Sequence, residues 1–339
     1  RTYEYMSEDP FLNKKIAVPL IVGLQDNDVM ACVKHFAANN QETNRDFVDV
    51  QIDERTLREI YLPAFEASVK EAKAYSIMGA YNKFRGEYLC ENDYMLNKIL
   101  RDEWGFKGIV VSDWAAVHST AKSLKSGLDI EMGTPKPFNE FFLADKLIAA
   151  VKSGEVSEKE IDLHVKRILR GLFHIKAMGG GTRAKGSIAT EAHYKDAYDI
   201  AAEAIVLLKN EKNLLPLKKS GQKIALIGAL ANDKNSPLGS WRIASDDNTA
   251  VSVLEGMQQY KNNQLTYAKG ADLTVGRTQF VWETHINTTD TSGFAEAIEV
   301  AKKADVVVMV LGEHGLQTGE GRSRTDLGLP GVQQELLET

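Results

Sequence analysis

Short aliphatic runs of β type alternate with longer segments of helical period along most of this chain. That alternation limits the architecture more than any other feature, because it specifies an α/β fold built on parallel strands. In the first half, residues 31–36, 76–81, 108–114 and 128–132 read as strands, each followed by a helix-period segment. The clearest helix follows Asp53, where Leu57, Ile60, Tyr61, Ala64, Phe65 and Val69 share one face. Another is marked at both ends. Ser157 and Glu160 form a capping box, Val156 and Ile161 occupy the hydrophobic-staple positions, and the helix runs through Ile168, Leu172 and Ile175 to glycines 179–181.

Residues 179–190 (GGGTRAKGSIAT) have linker composition and divide the chain into 1–178 and 191–339. Beyond the linker, 199–209, 253–260 and 295–303 read as helices and 223–227 as a strand. Residues 305–312 (DVVVMVLG) read as a fully buried parallel strand. About four βα units precede the linker, too few for a closed (β/α)8 barrel of ~250 residues. The first half is therefore a smaller open sheet or the later part of a barrel, and the polar residues at its strand ends favour the barrel. Both ends of the chain read as cuts, so a missing leader says nothing of compartment.

Apolar residues make up 43% and charged residues 26%, so both halves can bury a core. The net charge of -6, spread without a basic stripe, gives nucleic acid no footing as a partner. No run approaches the ~18 apolar residues that span a bilayer. Cys32 and Cys90 show no CxxC spacing and read as two buried free thiols.

In a βα barrel, chemistry sits where strands end. Here the strand ends carry Lys34–His35, Tyr81–Asn82 and Ser112–Asp113–Trp114. An aspartate closing an all-aliphatic strand is costly to bury unless it is paired or opens on a cleft. Asp113 can equally cap a helix starting at Ala115. The adjacent Trp114 favours the cleft, since a flat aromatic beside a carboxylate is a surface for a sugar ring. Lys34 has three readings: a Schiff-base nucleophile, a fixed cation donating to hydroxyls, or a structural ion pair. After the linker, 305–312 empties into EHGLQTGEGRSRTDLGLPG, a loop carrying Glu313, Glu320, Arg322 and Arg324.

Taken together, KHFAANNQETNR, IMGAYN, LRDEWGFKGIVVSDW and SGLDIEMG resemble the core motifs of glycoside hydrolase family 3, in the family's order. RTYEYMSEDP ahead of them is similar to the segment that precedes those motifs, and IVLLKNEKNLLPL, KIALIGALAND and SRTDLGLPG are similar to the family's second domain. The resemblance implies the C-terminal portion of a (β/α)8-type catalytic barrel over 1–178, then the N-terminal portion of an α/β sandwich over 191–339. It implies a retaining exo-acting β-glycosidase, foremost a β-glucosidase, with Asp113 as nucleophile and Glu320 as general acid/base, Glu313 in reserve. Arg1, Lys34, His35 and Tyr81 would bind sugar hydroxyls and Trp114 would form an apolar platform. The substrate would be a β-linked oligosaccharide or an aryl or alkyl β-glucoside, with no metal or organic cofactor, and a periplasmic or secreted location is favoured over the cytoplasm.

Rival readings remain. A β-xylosidase would use the same residues. A family subgroup with a barrel-borne His–Asp pair carries KHFPGHG where this chain has KHFAANN. A Schiff-base aldolase on Lys34 leaves Asp113–Trp114 unexplained, and a non-catalytic carbohydrate-binding protein leaves both carboxylates idle.

Overall fold

A computed structural model describes residues 5–133, 136–241, 249–280 and 282–339. They fall into two compact units, one ending at Gly186 and the other beginning at Ser187. The first opens with a helix the sequence reading passed over, α1 (Pro10–Gln25), capped by the Asp9 carboxylate on the Phe11 N–H. Its apolar residues run almost continuously around Pro19 and hide the helical period; only Ala17 and Ile21 are buried.

Three parallel strands form the main sheet of this unit, β1 (Cys32–Phe36), β2 (Ser76–Gly79) and β3 (Ile109–Ser112) in that spatial order, and the two-residue strands Asp49–Val50, Lys83–Phe84 and Glu87–Tyr88 form a second, small sheet. Ile77 stands between Val33 and Val110. Because the strands are parallel, their C-terminal ends lie along one edge. The core beneath is aromatic: Phe36 meets Phe65 edge-on at 5.3 Å and Trp104 at 5.9 Å. The LRDEWGF motif thus supports the sheet and leaves the chemistry to the strand ends.

Two expectations fail here for identifiable reasons. The strand expected at 128–132 is reduced to one parallel bridge, Val111 to Ile130. The Asp129 carboxylate accepts the Val110 N–H at 2.8 Å, the donor that a continuing ladder would use. Among the described residues the sheet is therefore open and three-stranded, without barrel closure. The helical face after Asp53 also shifts. Pro63 cannot donate, the chain widens into a π segment over Leu57–Tyr61, and Leu62 N–H bonds Leu57 C=O before α2 (Pro63–Lys70) begins. The extra residue in the turn rotates Ile60 outward, 53% exposed, and puts Leu62 in the core at 1%.

Helix α3 (Glu158–His174) starts as specified, with both halves of the Ser157–Glu160 box made and Val156 buried against Ile161. It ends at His174, however, and Lys176 takes the left-handed φ of 54° ahead of glycines 179–181. It approaches β3 closely; a Cβ on Gly171 would lie 2.8 Å from Ile109 Cδ1. From α3, His164 Nδ1 reaches Asp129 at 2.6 Å and Arg167 at 3.1 Å, while Arg101 donates to the other oxygen at 2.8 Å. Burial raises the Asp129 pKa, but His164, Arg101, the Val110 N–H and Arg167 outweigh it and hold the carboxyl below the usual aspartate range. A depressed folded-state pKa means this stabilisation is complete above the ordinary value and is lost as pH falls through the folded one. Asp129→Ala would strand buried guanidinium groups without their counter-charge. The expected cost is roughly 3–5 kcal/mol at neutral pH, read from chemical denaturation and shrinking in acid; a pH-independent loss below ~1 kcal/mol would contradict this account.

The second unit carries another parallel sheet. Strand β4 (Lys223–Ile227) is central, between β5 (Gln264–Ala268) and β6 (Val306–Met309). The β6 segment was expected to be fully buried, yet it is an edge strand paired only with β4 among the described residues, and Val307 is 43% exposed. Gly228 closes β4 at φ 121°, where a Cβ would lie 2.3 Å from the Val310 carbonyl oxygen.

Helix α4 (Glu191–Ala204) starts earlier than the expected 199–209, because Thr190 and His193 make a capping box that a Glu/Gln search overlooks. It ends at Ala204, where β-branched Ile205 turns extended. Helices α5 (Val253–Gln258), α6 (Phe294–Lys302) and α7 (Gln333–Glu338) follow. Phe294 and Ala297 of α6 and Leu336 of α7 form the core with Ile227 and Ala268.

Candidate active site

Asp113 is the first residue beyond β3. Its N–H donates to the Gly79 carbonyl at the end of β2, so the sheet ladder itself places the carboxylate at the strand edge. It caps no helix: the next one, Ala121–Lys125, begins well downstream. The adjoining chain is packed tightly enough to require glycine in the MGAYN segment, since a Cβ on Gly79 would sit 2.8 Å from Cys90 Sγ.

The carboxylate is 6% exposed and surrounded by donors. His35 Nε2, from β1, lies 3.2 Å from Oδ2, and the Trp114 N–H donates to Oδ1 at 2.8 Å. The Tyr81 hydroxyl supplies a further hydrogen bond. Burial works to raise the Asp113 pKa. Hydrogen bonding and electrostatic attraction from His35, with the Trp114 and Tyr81 bonds, outweigh it and keep the carboxyl below the ordinary aspartate value. A buried, ionised carboxylate at a sheet edge is a poised nucleophile or electrostatic stabiliser.

The first unit thus brings together Asp113, His35, Tyr81 and Trp114 as the sequence reading expected. The Trp114 residue is 51% exposed, open to stack on a ligand. Lys34 is half-buried beside His35 in β1. Arg1 lies outside the described residues. Cys90 is a buried free thiol as expected, whereas Cys32, also free, is exposed at the start of β1.

One contributor was missed. The Arg45 guanidinium lies 4.6 Å from the centre of the Tyr81 ring and is gripped by Glu42 at 3.0 Å. Both residues belong to the NNQETNR stretch, where the sequence reading singled out only the preceding Lys34 and His35. A charged pair three residues apart, following a functional strand end, was the available signal.

Glu313 and Glu320 belong to the second unit, on the loop after β6. Glu313 is paired with Arg324, which also donates to the carbonyls of Asp326 and Gly328. Glu320 is half-buried on a turn between Gly319 at φ 114° and Gly321 at φ 74°, both left-handed. A Cβ on Gly319 would come within 2.3 Å of Ser240 Oγ. Arg322 ties the turn down by donating to the carbonyls of Leu316, Gln279 and Trp282. The loop therefore has a defined shape, with Glu313 committed to an ion pair and Glu320 carried on a glycine-flanked turn.

Comparison with known proteins follows the same division. Residues 1–171 match the Glycosyl hydrolase family 3 N terminal domain and residues 205–339 the Glycosyl hydrolase family 3 C-terminal domain. The chain is similar to beta-glucosidase BoGH3A of Bacteroides ovatus, 37% identical over 355 residues, covering all of this chain and 47% of that protein. It is similar to thermostable beta-glucosidase B of Acetivibrio thermocellus, 40% identical over 340 residues, covering all of this chain and 42% of that protein. The crystal structure of the Bifidobacterium adolescentis GH3 beta-glucosidase superposes with a TM-score of 0.83 at 36% identity, over 99% of this chain and 46% of that one. The chain spans about half the length of the curated relatives it matches. It belongs to glycosyl hydrolase family 3.

Proposed function

We propose that the full-length protein is a retaining, exo-acting β-glycosidase that cleaves β-glucosides by double displacement, with Asp113 as nucleophile and Glu320 as general acid/base. The observation that carries this reading is the Asp113 carboxylate, buried at the strand edge and held ionised by His35, Tyr81 and the Trp114 N–H. Such a group attacks the anomeric carbon as the leaving oxygen departs, forming a glycosyl ester. A second carboxyl ~5–5.5 Å away protonates the leaving oxygen and then deprotonates the water that cleaves the ester. Glu320 is assigned that second role by its place in the GEGRSRTD loop, which resembles the family's acid/base loop, and Glu313, ion-paired with Arg324, is held in reserve. Lys34, His35, Tyr81 and Arg1 would contact sugar hydroxyls, and Trp114 would stack on the ring.

The family match supports 1–178 as the C-terminal portion of a (β/α)8-type barrel and 191–339 as the N-terminal portion of an α/β sandwich, joined by the 179–190 linker. Beta-glucosidases that match the whole chain support β-glucosides as substrates, and exo-alpha-(1->6)-L-arabinopyranosidases of Bifidobacterium breve and Bifidobacterium longum match it as fully, at 37% identity. Xylan 1,4-beta-xylosidase of Xylanibacter ruminicola, 35% identical over 85% of this chain, keeps β-xylosides as the second reading. A periplasmic or secreted location draws support from similarity to the periplasmic beta-glucosidase of Salmonella typhimurium, 33% identical over 99% of this chain. No helix among the described residues is long and apolar enough to cross a membrane. The aldolase reading of Lys34 gives no role to the donors gathered around Asp113.

The full-length protein should hydrolyse aryl β-glucosides, and proton NMR of the first-formed sugar should show the β-anomer. Release of the α-anomer would contradict double displacement, because inversion needs carboxyls ~6.5–9.5 Å apart with water between them.

A further inference from the structure

We propose that Arg45 is a positioning residue for the nucleophile: seated on the face of Tyr81, its guanidinium aims and strengthens the phenol hydrogen bond to Asp113. The inference rests on the reading of Asp113 as nucleophile. The geometry forms a relay. Glu42, whose side chain is 4% exposed, holds Arg45 Nη1 at 3.0 Å, and Asp46 stands 3.8 Å from Nε on the outer side. The guanidinium carbon sits 4.6 Å from the Tyr81 ring centre, within the range of a cation–π contact. Tyr81 is buried, and its hydroxyl bonds the Asp113 carboxylate.

A cation over a phenol draws electron density from the ring and makes the O–H a stronger donor. It also fixes the ring plane, and so the direction in which the O–H points. Both effects favour ionised Asp113. The relay acts beside other groups on the same carboxylate: His35 from β1, the Trp114 N–H, and the thiols of Cys32 and Cys90, which share its electrostatic field. Lys34 lies next in chain to His35, and its charge acts on Cys32. Arg45 acts through its contact with Tyr81.

The test is the acidic limb of kcat/KM against pH for an aryl β-glucoside, using the full-length protein. Removing support for the carboxylate raises its pKa, so activity is lost at a higher pH as acid is added. Arg45→Met should move the limb up by roughly half to one pH unit, and Arg45→Lys by less. Tyr81→Phe should also raise the limb, and adding Arg45→Met to it should move it no further. Glu42→Gln keeps the bond to Arg45 and serves if Arg45→Met fails to fold; loosening of the anchor should shift the limb in the same direction.

A limb that stays in place while kcat/KM falls equally at every pH would overturn the proposal. So would an undiminished Arg45→Met shift in the Tyr81→Phe background. If the wild-type protein turns over no aryl β-glycoside, the glycosidase reading fails and this inference with it. An active wild type with unmoved limbs defeats the inference alone.

Discussion

Replacing Asp113 by glycine should lower turnover of an aryl β-glucoside by on the order of 10^4-fold or more, at every pH and with every leaving group. Without the carboxylate no glycosyl ester can form, so better leaving groups and added nucleophiles at the acid/base position offer no relief. The protein should remain folded. Asp113 contributes little apolar burial, and its removal leaves His35 and Tyr81 in a site where water can replace the lost acceptor. Near wild-type activity in a folded Asp113→Gly protein would mean that the aspartate is a structural acceptor for His35 and Tyr81.

Glu320→Ala should behave differently, and the difference identifies the acid/base. Substrates with poor leaving groups should lose about 10^2–10^4-fold, because protonation of the departing oxygen is gone. A dinitrophenyl glucoside departs without protonation, so its glycosylation step survives while hydrolysis of the ester becomes slow. Azide needs no base to attack that ester. Adding it should restore turnover and yield a β-glucosyl azide. Rescue of Glu313→Ala in place of Glu320→Ala would transfer the role to Glu313. Glu313 is paired with Arg324, and Glu320 rides on the Gly319–Gly321 turn that Arg322 ties to neighbouring carbonyls. Cutting Glu313 should instead loosen the segment around Arg324 and lower activity without azide rescue.

The place of Asp113 was legible because a single contrast marks it: GIVVSDW ends an aliphatic strand in a carboxylate and a tryptophan. Parallel strands bring their ends to one edge, so His35, Tyr81 and Asp113 had to be neighbours once the strands were recognised. Arg45 was not legible in this way. Arg45 lies in the stretch between β1 and β2 and Tyr81 just beyond β2, and no periodicity links the two residues. The fold shows a similar split. The Ser157–Glu160 box was readable because both partners are local, and it formed as expected. The π segment over Leu57–Tyr61 broke the assumed period and exposed Ile60. The strand expected at 128–132 failed because Asp129 gave its carboxylate to Val110 N–H and to Arg101, His164 and Arg167, a long-range arrangement with no local signature.

The most direct measurement is covalent trapping of the nucleophile in the full-length protein. A 2-deoxy-2-fluoro-β-glucoside with a dinitrophenyl leaving group slows both steps, while the activated leaving group keeps the first fast enough for the glycosyl ester to accumulate. After proteolysis, mass spectrometry should find one fluoroglucosyl group, on the peptide carrying GIVVSDW and on Asp113 itself. A stable label on any other residue, or time-dependent inactivation without a labelled Asp113 peptide, would contradict its assignment as the nucleophile.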